Sequence, residues 1–216
     1  MAYQLQNPQS RVSTSTLLGQ VLGITAMGLC VTAGSVYIFQ NSVAFGASMI
    51  AMLIGFGLLI AINATRGNPA LSLMLFYAFA FAEGVGISPI IHAYATTIGW
   101  EVVYNAALTT GLGMIALGCV VYATGIDFRR FQGILMLALL GLIIVGVISM
   151  FTHFVSPTVY SWITLVIFSG FVLINFARIR AGGDGQTAVQ LAVTMYLDAI
   201  NIFLALLRIL GGRSRD

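Results

Sequence analysis

The chain has 216 residues, of which 59% are hydrophobic and only 7% charged, with a mean hydropathy of +1.01. Soluble domains carry about 25% charged residues, so the composition excludes a soluble globular class and indicates a polytopic membrane protein. All nine basic residues are Arg, and no basic patch is interleaved with aromatics as nucleic-acid binding needs, so the net charge of +3 concerns membrane orientation.

Residues 1–16 form a polar N-terminal tail. The apolar run after it is about twice a signal-peptide core in length and is expected to stay as the first span, Leu17–Phe39. Span two is expected at Val43–Ile62, followed by the loop from Asn63 to Pro69, whose proline suits a helix's first turn. Span three, Ala70–Ile98, exceeds the ~20 residues that a crossing needs and contains Pro89, which predicts a kink. Trp100 stands at interfacial depth before span four, Val102–Thr124. Span five is Phe131–Phe151, and span six is Thr158–Ile179. The Gly-rich turn from Arg180 to Gln186 leads to span seven, Thr187–Leu210, and 211–216 form a polar tail. The expected fold is therefore all-α, a seven-transmembrane-helix bundle occupying 17–210.

Cys30 and Cys119 fall inside apolar runs and outside any CxxC pair, so they read as small buried hydrophobes. The segment 182–185 lacks the Lys and preceding strand of a phosphate loop and reads as a flexible helical hairpin. Elsewhere, glycines such as Gly55 and Gly57 let helices approach closely.

Arginine placement sets the orientation. With the N-terminus in the cytoplasm, Arg11, Arg66, Arg129, Arg130, Arg178 and Arg180 all fall inside. Arg208, Arg213 and Arg215 fall outside if span seven crosses fully, and inside if it folds back as a re-entrant hairpin. Its length and polar ends favour the full crossing, in a plasma (inner) membrane.

Span seven carries one polar seam. Gln190, Thr194, Asp198, Asn201 and Arg208 follow at steps of three, four and seven, which places them on one helix face. The stripe runs ~27 Å at the helical rise, close to a bilayer's ~30 Å hydrocarbon core. A carboxylate in mid-membrane costs at least ~2.5–3.5 kcal/mol and by default marks a functional site. That argument applies to Asp198 and to Glu83 in span three; Asn175 in span six fits as easily a polar group that only joins helices. Glu83 and Asp198 lie ~20 and ~16 Å from the cytoplasmic ends of their spans, at a similar level. If they faced one another, the pair would share a proton.

Met195–Phe203 followed by Leu206–Gly211 resembles the signature last helix of the Bax inhibitor-1 (transmembrane Bax inhibitor motif) family. Phe79-Ala80-Phe81 with Gly84 and Pro89-Ile90 is similar to that family's third helix. The resemblance implies a bundle with the last helix at its centre. It also implies a pH-sensitive calcium leak, governed in bacterial members by two Asp residues on helices six and seven. Asp198 matches the second, but Asn175 stands at the place of the first and cannot titrate. Either Glu83 supplies the second carboxyl, or pH gating is weak or absent. Arg66 resembles the family's basic latch partner and equally fits a solvated loop charge.

The expected activity is thus a cation leak along Asp198, Glu83, Asn175, Asn201 and Thr194. No cofactor is expected beyond Ca²⁺ as permeant ion, and the partners are the bilayer and cations, with no nucleic acid. The alternative is a non-transporting interaction protein that modulates membrane proteases or stress responses. An enzyme is not expected: one Asp lies at depth, His92 and His153 are far apart, and Ser88 and His92 share a helix face without triad geometry.

Overall fold

A computed structural model describes residues 14–42, 44–152 and 155–213. Most of the expected polar N-terminal tail, residues 1–13, lies outside them, as do 214–216. The helices are α1 (Thr14–Phe39), α2 (Phe45–Ala64), α3 (Pro69–Thr97), α4 (Trp100–Thr124), α5 (Gln132–Thr152), α6 (Pro157–Arg180) and α7 (Ala188–Arg213). All seven are long and apolar enough to cross a membrane, and the described residues contain no strand. α7 is one continuous helix of 26 residues rather than a re-entrant hairpin. The first helix starts at Thr14, so Thr14, Ser15 and Thr16 belong to α1 and not to the tail.

Local chemistry sets the ends. Asn68 caps α3 by accepting from the Leu71 amide, with Pro69 just inside. Ser156 and Pro157 repeat this device on α6. Thr187 and Gln190 form a reciprocal capping box on α7, each side chain accepting from the other's backbone N–H at 3.0–3.2 Å. The α6–α7 turn holds four successive residues at positive φ, Gly182, Gly183, Asp184 and Gly185, a conformation open to glycine at little steric cost. The expected loop before span five contains a 3₁₀ turn, Phe128–Phe131.

Pro89 does not break α3. A proline lacks the N–H that would bond the carbonyl four residues earlier, here that of Val85. The fully buried Ser88 hydroxyl donates to that same carbonyl at 2.8 Å. Ser88→Ala is expected to leave the acceptor unmet and to destabilise the protein by ~1–3 kcal/mol, read as a lowered thermal midpoint in detergent.

α7 is the most buried helix and packs against α6, α4, α1 and α3. The last helix is therefore the centre of the bundle. α5 is peripheral and packs chiefly on α6, while α2 packs on α3. Lipid tails are as apolar as the helix surfaces, so association rests on close packing and interhelical hydrogen bonds. On α3, a β-carbon at Gly84 would stand 2.6 Å from the Thr32 carbonyl, so only glycine lets α1 come that close. The Thr32 hydroxyl joins three helices: it donates to the Ala80 carbonyl at 2.9 Å and meets the Tyr196 hydroxyl at 2.5 Å. Tyr196 is fully buried and packs edge-on against Phe76 and Phe79.

One end of the bundle is tied by charge. Arg180 donates to the carbonyls of Val121, Gly125 and Ile126, covering the exposed carbonyl end of α4. Arg129 pairs with Asp127 at 2.8 Å and with Asp184 at 2.5 Å, tying the α4–α5 loop to the α6–α7 turn. The hydrogen bonds from Arg129 hold the Asp127 carboxyl down at about 2, against about 3.9 for a free Asp. The depressed value means that this contact contributes above the free value and is lost as pH falls through about 2. A carboxyl-carbon NMR titration should place Asp127 there, and Arg129→Ala should return it to the ordinary carboxylate range.

Candidate functional site

The polar seam of α7 faces α6 and α5, and its centre is a side-chain network. Asp198 is 5% exposed and Asn175 is 3% exposed. The Asn175 amide donates through Nδ2 to Oδ2 of Asp198 at 2.7 Å. Its Oδ1 accepts from the Thr194 hydroxyl at 3.2 Å and from Arg178 Nη1 at 3.4 Å. Asn175 therefore works as a two-ended adaptor, with an NH₂ toward the carboxylate and a carbonyl toward the donors. Arg178 is the cation that acts on Asp198 across this network. It was assigned above to the inner-loop charges. The signal that reveals it is its spacing, three residues after Asn175 on the same face of α6.

Beyond Asp198 the seam enters a pocket of mixed polarity, about 380 Å³, between α5, α6 and α7. Asn201 and Arg208 line it together with Tyr160 and Thr164. Asn201 turns its Nδ2 back to the Leu197 carbonyl at 2.8 Å, so its side-chain oxygen remains as an acceptor. At the other end of the seam, Gln190 serves the helix cap.

Glu83 does not join this site. It is half-buried on α3, and its Oε2 would lie 3.9 Å from a β-carbon on Gly55, so it faces α2. Asp198 and Tyr196 are two residues apart, roughly 200° around the helix. Tyr196 turns toward α1 and α3, and Asp198 therefore turns away from them. The two carboxylates share a level but not a face, and the proton-sharing pair expected of them does not form. Arg66 is exposed in the α2–α3 turn and forms no ion pair among the described residues.

The family described as "Inhibitor of apoptosis-promoting Bax1" matches residues 14–215. This chain belongs to the Bax inhibitor-1 family. A protein of Borreliella burgdorferi is 31% identical to it, with 98% of each chain covered. A membrane protein of Streptococcus pyogenes serotype M3 is 30% identical over 82% of this chain and 78% of its own. The inner membrane protein YbhL of Escherichia coli is 23% identical, covering 95% of each. In this member of the family, the central helix meets helix six through an Asn–Asp contact, with Arg178 as the third member.

Proposed function

We propose that this protein is a passive cation leak, with Ca²⁺ as the favoured permeant ion and the α7 seam as its route. The observation that carries the proposal is Asp198, a buried carboxylate on the central helix, one turn from a pocket that Asn201, Thr164 and Arg208 line in part. A carboxylate at that depth is expensive, and such residues by default mark a pathway. Side-chain oxygens of Asp198, Thr194 and Asn201 follow in line, and oxygen donors suit Ca²⁺. One carboxylate and two neutral oxygens make a weak transit site, as conduction requires.

The gate in this proposal is the network itself. In the closed form, Asn175 occupies Oδ2 of Asp198, and the Arg178 charge repels an arriving cation. Opening withdraws the amide and the guanidinium so that an ion takes their place. The N-terminus is proposed to be cytoplasmic, from the arginine distribution. The protein performs no covalent chemistry in this reading. The test is Ca²⁺ uptake into proteoliposomes loaded with a fluorescent indicator. Uptake faster than in protein-free vesicles is expected, and uptake equal to theirs would overturn the proposal in favour of the interaction protein.

A further inference from the structure

A second cavity lies on the far side of α7 from the Asn201 pocket. It measures about 500 Å³ and is formed by α1, α3, α4 and α7. α4 packs on α7, α6 and α3 but not closely on α1, and the cavity fills the gap between those two helices. Its floor is Thr32, Ile87, Ala199 and Ile200. Its rim includes Tyr37 at 76% and Tyr104 at 67% exposure, so it opens sideways onto the surface that lipid covers.

We infer that this crevice is a binding site for one acyl chain of a membrane phospholipid. Three observations select that occupant. The first is size. From Trp100 to Met114 along α4 the crevice runs ~21 Å at the helical rise, so about 500 Å³ leaves a mean section of roughly 24 Å². That admits a single hydrocarbon chain and excludes a helix, which with side chains is ~10–12 Å across. The second is polarity. Thr32 and Thr110 spend their hydroxyls on other groups, in the Tyr196 network and on the Ala106 carbonyl, and below the rim of Trp100, Tyr104 and Tyr37 the remaining wall is apolar. A charged or strongly polar group finds no partner in that inner part. The third is position. Trp100, Tyr104 and Tyr37 gather at one end, where α1 finishes and α4 begins. Tyr and Trp at a membrane boundary hold the headgroup level. The opposite end, at Leu29 and Met114, lies near the middle of both helices. The crevice thus runs from the interface inward, as the chain of one leaflet does. This site does not depend on the leak reading, since Asp198 faces the other way.

The probe is phosphatidylcholine brominated on its acyl chain, which quenches tryptophan on contact. The chain has two tryptophans, and Trp162→Phe leaves Trp100 alone, at the crevice. The purified protein in detergent is titrated with the brominated lipid. Quenching is expected to saturate near one lipid per chain. Ala107→Phe and Gly111→Leu each fill the crevice from α4; a β-carbon on Gly111 meets nothing within 4 Å, so the fold has room for it. Each filled variant, with helicity checked by circular dichroism, should lose the saturable phase and keep only a linear rise. A linear response in the unfilled protein would overturn the inference. So would a saturable phase that survives in both filled variants, or one given by a brominated free fatty acid and not by the phospholipid.

Discussion

Asp198→Asn is expected to reduce Ca²⁺ uptake in proteoliposomes by at least tenfold with the fold intact. Asn has nearly the shape of Asp, and its side-chain oxygen can still accept from Asn175 Nδ2. What it lacks is the full negative charge. A hydrogen bond or contact to a charged group is worth roughly 1.5–3 kcal/mol, about twice a neutral one, and 1.4 kcal/mol is already a factor of ten. Asp198→Ala is a different experiment. It leaves the buried Asn175 amide without its acceptor and Arg178 without the carboxylate it acts on. Breaking a buried charged contact from one side costs ~3–5 kcal/mol, so this variant should lower thermal stability as well as flux. Comparing the two separates loss of conduction from loss of structure.

Asn175→Asp is expected to move the pH dependence of Ca²⁺ uptake to higher pH. The substitution sets a second carboxyl at the 2.7 Å contact now made by the amide. Two carboxylates that close cannot both ionise, and they hold a proton between them. Protonation then changes the bond that closes the gate. In the natural chain Asn175 donates whatever the pH, so one group titrates alone. The measurement is Ca²⁺ uptake between pH 5 and 8 for both proteins. Superimposable profiles would contradict the assignment of Asn175 as the gate partner. Arg178 sits 3.4 Å from the substituted position, and adding Arg178→Gln to Asn175→Asp should move the transition higher still, because a fixed positive charge no longer favours the ionised form.

The seven spans were legible because composition and length decide them: a run of ~20 apolar residues has few alternatives. The boundaries moved by no more than about three residues, and where they moved the cause is local, as with Thr14–Thr16 joining α1. The polar seam was legible for the same reason, since helical spacing places side chains on a face without knowledge of the neighbours. What faces that seam was not. Rotation of a helix about its axis is set by packing, and Gly84 against Thr32 and Tyr196 against Phe76 are tertiary facts. Depth along α3 and α7 therefore suggested Glu83 as a partner for Asp198, while azimuth separates them. Asn175 stood out as a polar residue inside span six, and only the resemblance to a family placed it opposite Asp198. Arg178 was overlooked because an arginine near a span's end is explained by membrane orientation before any other role is sought. Ser88 shows the reverse case, in which proline chemistry identifies the orphaned carbonyl but only the structure shows which hydroxyl meets it.

In the proposed leak the polar face of α7 conducts and its apolar face does not, a difference that cysteine accessibility can read. With Cys30 and Cys119 replaced by Ala, single cysteines at Asn201, in the pocket of mixed polarity, and at Phe203, in the apolar crevice, are treated with a charged, membrane-impermeant thiol reagent during Ca²⁺ uptake. Modification and block are expected at position 201, with position 203 unreactive and flux there unchanged. Modification at 203 with block, or at 201 without any change in flux, would contradict the proposed leak.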